Sequence, residues 1–231
     1  MKKSFILFFL LPFVLIAQEK RDYFDYLVEA KYKDWQHTGV YLQKDYVSAS
    51  YLTPLNEEYE PSYPIAFVSI GGETEKMLLC YTDGPSGDPA FEFYRYGSNK
   101  ELEYQFSLAG VEIFVPGNGF MYTTGHTNNM FDKHKKFEFD GASVNEVAQP
   151  FYAVGMKTKT LKNIQLYSDY NCTQKLAVVG ANSNIEIVAA EYSDFCRKYL
   201  IKTPFGLMGW WELDREYPMS EEIEGLFYAG D

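Results

Sequence analysis

The sequence reads as an all-β protein, with an N-terminal antiparallel barrel or sandwich followed by a small five-stranded barrel. Three observations predict this. Aromatic residues make up 18% of the 231 residues, with 20 Tyr and 18 Phe, and such side chains favour pleated, half-buried surfaces. Apolar and polar residues alternate with a period of two over many short stretches, which puts one set on a core face and the other toward water. Clusters of Gly, Asp, Asn and Pro punctuate those stretches, as in an antiparallel all-β fold. No fixed-period repeat, low-complexity linker or alternating βαβ pattern is present.

The first element is an exception. Lys2 and Lys3 precede the unbroken apolar run FILFFLLPFVLIA at 5–17, which ends at Gln18-Glu19-Lys20-Arg21-Asp22. A basic start, a short apolar run and a small residue before the polar switch are the marks of a secretory signal peptide. The run falls short of the about 20 apolar residues that span a bilayer. Cleavage is expected after Ala17, although Leu15 stands where a small residue is preferred; an uncleaved anchor is the alternative. Since the first cysteine is Cys80, nothing near the cut offers a site for lipidation. The protein is therefore expected to be exported, whether periplasmic, bound to the cell envelope or secreted, with no transmembrane helix left after cleavage.

Removing 1–17 leaves 214 residues and takes the formal net charge from −11 to −13. So acidic a surface repels nucleic acid and anionic lipid heads, which excludes both as expected partners and favours solubility outside the cell.

Residues 18–155 form the expected first domain. Within it 23–33 carries the best helical pattern, because Phe24, Leu27 and Val28 share one helical face, although Lys31 breaks the stripe. Strands are predicted from there on. Residues 40–52 are rich in Tyr and Val; 65–70 follow Pro64 and end at Gly71-Gly72; 77–82 end in the turn-rich 83–88; 91–96 end at Gly97-Ser98-Asn99. Tyr104, Phe106 and Leu108 then alternate with polar neighbours, Val111, Ile113 and Val115 alternate with Glu112 and Phe114, and Phe137 and Phe139 alternate with Lys136, Glu138 and Asp140. Asp140-Gly141 predicts a hairpin turn, because both residues tolerate positive φ. The Lys-rich MKTKTLKN within 153–163 marks the expected boundary.

A second domain is expected at 160–214. Residues 164–168, 176–179, 185–188, 197–203 and 209–213 read as five short strands, enough for a small barrel. The acidic segment 215–231 is either a solvated tail or, through 223–228, a closing strand; Leu226, Phe227 and Tyr228 favour the strand, being costly to expose. The order of the five strands resembles the bacterial SH3-like domain of exported and cell-wall-associated proteins. The resemblance rests on Lys202-Thr203-Pro204-Phe205-Gly206-Leu207-Met208-Gly209-Trp210-Trp211, a tight turn followed by a glycine and a tryptophan. The family's usual Arg-Ser-Gly-Pro loop is replaced by Tyr167-Ser168-Asp169-Tyr170-Asn171. The resemblance implies a small barrel and a role in binding.

In such a barrel Trp210 is expected in the core, where its large area stabilises a thin interior. Trp211 then points to the other face, where it could stack on a sugar or a partner peptide with Tyr167 and Tyr192. The alternative is that these rings are covered by the first domain or the tail.

Catalytic patterns are scarce. His126, Asp132 and His134 could hold zinc, but Lys133, Lys135 and Lys136 would repel it, and a solvated loop is expected instead. Cell-wall cysteine peptidases carry SH3-like modules, yet their nucleophile lies in an Asp-Cys-Ser-Gly-like context. Here Cys80 stands in Leu-Leu-Cys-Tyr within a predicted strand. A Gly-x-Ser-x-Gly elbow and a phosphate-binding Gly-rich loop are missing. Asp83 and Asp88 lack calcium-loop spacing. No catalytic residue, metal or cofactor is expected, although abundant carboxylates leave a glycosidase pair open. Cys80 is expected buried and inert. Export permits a disulfide, for which Cys172 and Cys196 are the better pair and worth about 3 kcal/mol; three free thiols are the alternative.

The expected function is non-catalytic binding of a cell-envelope component, either peptidoglycan glycan or peptide or an envelope protein. The alternatives are an envelope hydrolase with its active site in the first domain, and a purely structural or assembly role.

Overall fold

A computed structural model describes residues 24–30, 39–55, 61–72, 76–83, 88–125, 133–193, 196–214 and 220–226. The expected signal peptide at 1–17, the expected turn at 84–87, His126, Asp132 and residues 227–228 lie outside the described residues.

The chain is all-β, arranged in three sheets. The first runs in the order β1 (Val28–Glu29), β2 (Gly39–Leu42), β8 (Glu112–Val115), β9 (Phe120–Thr124), β10 (Lys135–Phe139) and β11 (Val144–Glu146). The second is a meander of β3 (Val47–Ser48), β4 (Tyr63–Val68), β5 (Met77–Thr82), β6 (Ala90–Tyr96) and β7 (Leu102–Ala109). Their facing sides supply one apolar core: Val40, Leu42, Ile113, Val115, Met121 and Phe137 from the first sheet, Ile65, Leu79, Phe91, Phe93 and Leu108 from the second. Neither sheet closes on itself, so the first part is a sandwich and not a barrel.

The run Met77-Leu78-Leu79-Cys80-Tyr81 is apolar without alternation because β5 is buried on both faces. Leu79 and Tyr81 face the sandwich core, while Leu78 and Cys80 lie under Ala49, Leu52 and Leu55. A bridge between Leu55 and Ser62 holds that cover down. The Ser62 hydroxyl donates to Glu92, which also accepts from the Tyr94 hydroxyl at 2.8 Å. Asp140-Gly141 makes the expected hairpin. Gly141 has φ 97°, and the Asp140 carboxylate accepts from the Ala142 and Ser143 N–H groups.

Three expectations for this part are corrected. The helix at 23–33 does not form over its described residues: Val28 and Glu29 pair with Leu42 and Tyr41 as β1, so tertiary pairing overrides a weak helical stripe. The pairing is not wholly antiparallel, since β2 runs parallel to β8. The alternation in β7 is broken by a bulge. Phe93 faces Phe106 but Tyr94 faces Tyr104, so Gln105 is the extra residue and Tyr104 turns outward, 54% exposed.

The third sheet runs β12 (Phe151–Lys159), β15 (Asn184–Glu191), β16 (Lys198–Lys202), β17 (Met208–Glu212), β13 (Ile164–Tyr167) and β14 (Lys175–Val179). The five expected strands are present, and β17 returns beside β13. The sheet stays open between β14 and β12, however, so the expected closed five-stranded barrel is a six-stranded sheet curled around its own core of Tyr152, Leu166, Ile187, Tyr199, Ile201 and Trp211. The sixth strand is β12, which contains residues 156–159 of the Lys-rich stretch read as a boundary; residues 147–150 connect it to β11. The described part of the tail docks on this core: Ile223 bridges Thr160, and Ile223 and Leu226 are buried.

A small polar seam joins the two parts. The Lys133 ammonium is buried, donates to the Ser193 carbonyl at 2.8 Å and lies 4.9 Å from the Tyr152 ring centre. The Tyr192 hydroxyl donates to Glu146 at 2.9 Å, and Glu146 also pairs with Lys135 at 3.1 Å.

Candidate aromatic binding face

Strand parity sets which rings meet the solvent. Across β16 and β17, Tyr199 faces Trp211 and Leu200 faces Trp210. Tyr199 is in the core, so Trp211 is there too, 6% exposed with its ring 6.0 Å from that of Tyr199. Trp210 therefore takes the outer face. The expected assignment of the two tryptophans is reversed, because Trp211 shares its side of the strand with Gly209 and Leu213, both buried. Gly209 is required there: a Cβ would come within 2.9 Å of Leu166 Cβ and 3.1 Å of the Tyr167 carbonyl oxygen.

On the outer face three rings form one patch. Trp210 lies 5.1 Å from Phe151, tilted by 43°, and 5.1 Å from Tyr170, edge-on at 90°. Phe151 and Tyr170 are 5.9 Å apart, and each is 39% exposed. Trp210 comes from β17, Phe151 from the start of β12, and Tyr170 from the loop between β13 and β14. Sheet pairing aims the first two. Tyr170 is aimed by Asp169, whose carboxylate accepts from the N–H groups of Thr173 and Gln174 and from the Thr173 hydroxyl. The turn is completed by the Cys172 N–H donating to the Asp169 carbonyl, with Cys172 at φ 57°. Those bonds, the Gln174 N–H foremost, hold the Asp169 carboxyl below the usual carboxylate range.

Charges border the patch. Lys198 Nζ lies 4.5 Å from the Tyr170 ring centre, and the Tyr170 hydroxyl contacts Glu191 at 3.2 Å. Burial, then the Glu191 charge, pushes the Tyr170 phenol up, so it stays a neutral hydroxyl. Glu212 stands opposite Lys198 across β16 and β17. With ring centres 5.1–5.9 Å apart the rings pack on one another and leave no cage for a cation between them. They offer an apolar platform with hydrogen-bonding groups at its rim, suited to the flat face of a sugar or to an apolar peptide side chain.

Of the expected ligand residues, Tyr167 stands directly across from Trp210 on the same face and is half-buried. Tyr192 is half-buried on the other side of the sheet, in contact with Tyr152 at 5.2 Å and with the first domain through Glu146. Trp211, Tyr167 and Tyr192 are therefore not brought together. Phe151 and Tyr170 were missed because neither lies in the motif carrying the family resemblance. Trp210 was legible from its parity with Glu212.

The cysteines are free. Cys196 is in the core and Cys172 is beside Tyr170 on the outer face, so the sheet separates the expected pair. Cys80 is buried, as expected, and its thiol is pushed well up by burial and by Glu92. Among the described residues no cluster of three or more His, Cys, Asp or Glu is placed to hold a metal ion, and no helix is long and apolar enough to cross a membrane.

Compared with family models, with curated proteins and with solved structures, the chain matches none.

Proposed function

We propose that the protein is an exported, non-catalytic binding protein, and that its C-terminal sheet, read as SH3-like, recognises a cell-envelope component through Phe151, Tyr170 and Trp210. The observation that carries this reading is the clustering of three solvent-facing rings, one of them on a loop locked by Asp169. Exposing large apolar rings costs free energy that burial would recover, and fixing Tyr170 in advance lowers the ordering cost of binding. The platform suits a peptidoglycan glycan strand or an extended envelope peptide. Export is supported by the basic and apolar start of the sequence at 2–17.

Co-sedimentation with purified peptidoglycan sacculi tests the reading. The wild-type protein is expected to pellet with sacculi above a control protein, and Trp210→Ala, shown to be folded by circular dichroism, is expected to stay in solution. Pelleting that is unchanged in Trp210→Ala removes the aromatic face from the reading. Absence of pelleting in the wild type removes the cell wall as its ligand.

A further inference from the structure

The outer face of the first sheet carries a second aromatic row, unrelated to the platform. Tyr41, Phe114, Tyr122 and Lys136 are successive partners across β2, β8, β9 and β10, so all four project to one side. Tyr41 stacks on Phe114 at 4.7 Å. Phe24 crosses above, 5.2 Å from Phe114 and 4.8 Å from Tyr122. Phe24 covers the row incompletely, and a cavity of about 380 Å³ remains between it, Phe114, Tyr122 and the β10 side chains Lys135 and Lys136. That volume lies within the range of small-molecule sites.

Thr123, Thr124, His134 and Gln149 complete the lining, and the charged groups on it are lysines. Lys136 Nζ lies over the Phe120 ring, 3.8 Å from its centre, and has no carboxylate partner among the described residues. The Tyr122 hydroxyl makes no hydrogen bond within the described residues and stands beside Lys136 by register. Lys135 also lines the cavity, although Glu146 already neutralises it. In a chain of formal charge −11, a lysine with no carboxylate partner and a phenol with no hydrogen bond among the described residues, both lining an aromatic-walled cavity, select an anion with an apolar body.

We infer that this cavity binds a small amphipathic carboxylate, its apolar body between Phe24, Phe114 and Tyr122 and its carboxylate on Lys136 Nζ and the Tyr122 hydroxyl. No bond is made or broken; this is a carrier or sensor site, independent of the aromatic platform.

Titration calorimetry of the purified protein with octanoate and with 1-octanol tests it. Octanoate is expected to bind once per chain and about tenfold or more tighter than octanol. Lys136→Gln is expected to bring octanoate down to octanol's affinity while leaving octanol unchanged. Tyr122→Phe is expected to weaken octanoate alone, and Phe24→Ala to weaken both, with thermal melts confirming that each variant folds. A lack of saturable octanoate binding overturns the inference, as does unchanged octanoate affinity in Lys136→Gln. Phosphatidylglycerol vesicles supply the same chemistry from a membrane. The protein is expected to stay in solution with them, and pelleting that octanoate does not compete away overturns the assignment to a soluble carboxylate.

Discussion

The Tyr170 ring stands edge-on to Trp210, 5.1 Å away and at 90°, although Tyr170 comes from the β13–β14 loop and Trp210 from β17. Trp211, the next residue along, is turned through the sheet into the core beside Tyr199. Two adjacent tryptophans thus have separable roles. Trp211→Ala is expected to cost about 3–5 kcal/mol, the range for deleting a buried large aromatic, and to lower Tm by on the order of 10 °C. Trp210→Ala is expected to cost about 1 kcal/mol or less, as for a partly exposed position outside the core, and to abolish ligand binding. Paired thermal melts and sacculus co-sedimentation of the two variants check the split.

Asp169 controls the other half of that contact. Its carboxyl is held below the ordinary value of 3.8, chiefly by the Gln174 N–H and further by Thr173. A group whose native pKa is depressed contributes its stabilisation fully above the unfolded value and loses it as pH falls through the native one. The loop is therefore expected to hold from neutral pH down to about the ordinary carboxylate range and to loosen below it. Tryptophan emission followed on acidification is expected to show a step below pH 3.8, as Tyr170 leaves Trp210. Asp169→Asn, which keeps one acceptor and no charge, is expected to remove that step and weaken ligand binding at neutral pH. Asp140 is likewise held low, by Ser143 and Ala142 in the β10–β11 turn, but belongs to the first sheet, and Asp140→Asn is expected to leave the emission step in place.

Much of the strand content was legible because alternation is a local property. Residues 77–82 read as a strand and are one, 164–168 and 176–179 match β13 and β14 closely, and 185–188 fall within the longer β15. What failed needed information from a partner strand. The C-terminal half of β12 reads as a boundary because Lys157 and Lys159 occupy its wet side, while Tyr152, Val154 and Met156 pack on the core. A bulge between Ala153 and Met156, with Gly155 at φ 67°, further blurs its period. The facing of Trp211 was available in the sequence: Gly209, Trp211 and Leu213 form the apolar set, and Met208, Trp210 and Glu212 the mixed one. The platform as a whole was not, since Phe151, Tyr170 and Trp210 are brought together only by the order β12-β15-β16-β17-β13.

The seam between the two parts predicts coupled unfolding. The Tyr192 hydroxyl donates to the Glu146 carboxylate, and the buried Lys133 ammonium donates to the Ser193 carbonyl. A hydrogen bond to a charged group contributes about 1.5–3 kcal/mol. Tyr192→Phe is expected to weaken the junction by that order without disturbing either core. Lys133→Met removes that donor and leaves the Ser193 carbonyl with the weaker Cys196 thiol contact at 3.4 Å. In the double variant, calorimetric unfolding is expected to separate into two transitions, one for the sandwich and one for the third sheet. A single unshifted transition would show that the seam contributes nothing to cooperativity.

Thiol chemistry gives an independent check on the third sheet. Cys196 is fully buried, and burial pushes its thiol up to about 11. Cys80 is buried between the second sheet and its cover and is raised further, first by burial and then by the Glu92 charge. Neither carries an appreciable thiolate at neutral pH, and the thiolate is the reactive form. Cys172 is also raised, mainly by burial, but it is partly accessible beside Tyr170. Ellman's reagent is therefore expected to titrate one thiol per native chain, slowly and with a rate that rises above pH 8.5, and three thiols in guanidinium. Cys172→Ser is expected to abolish the native reaction. Reaction of one thiol alone in guanidinium without reductant would mean that a disulfide joins two of the three, and the separation of Cys172 from Cys196 by the third sheet would have to be redrawn.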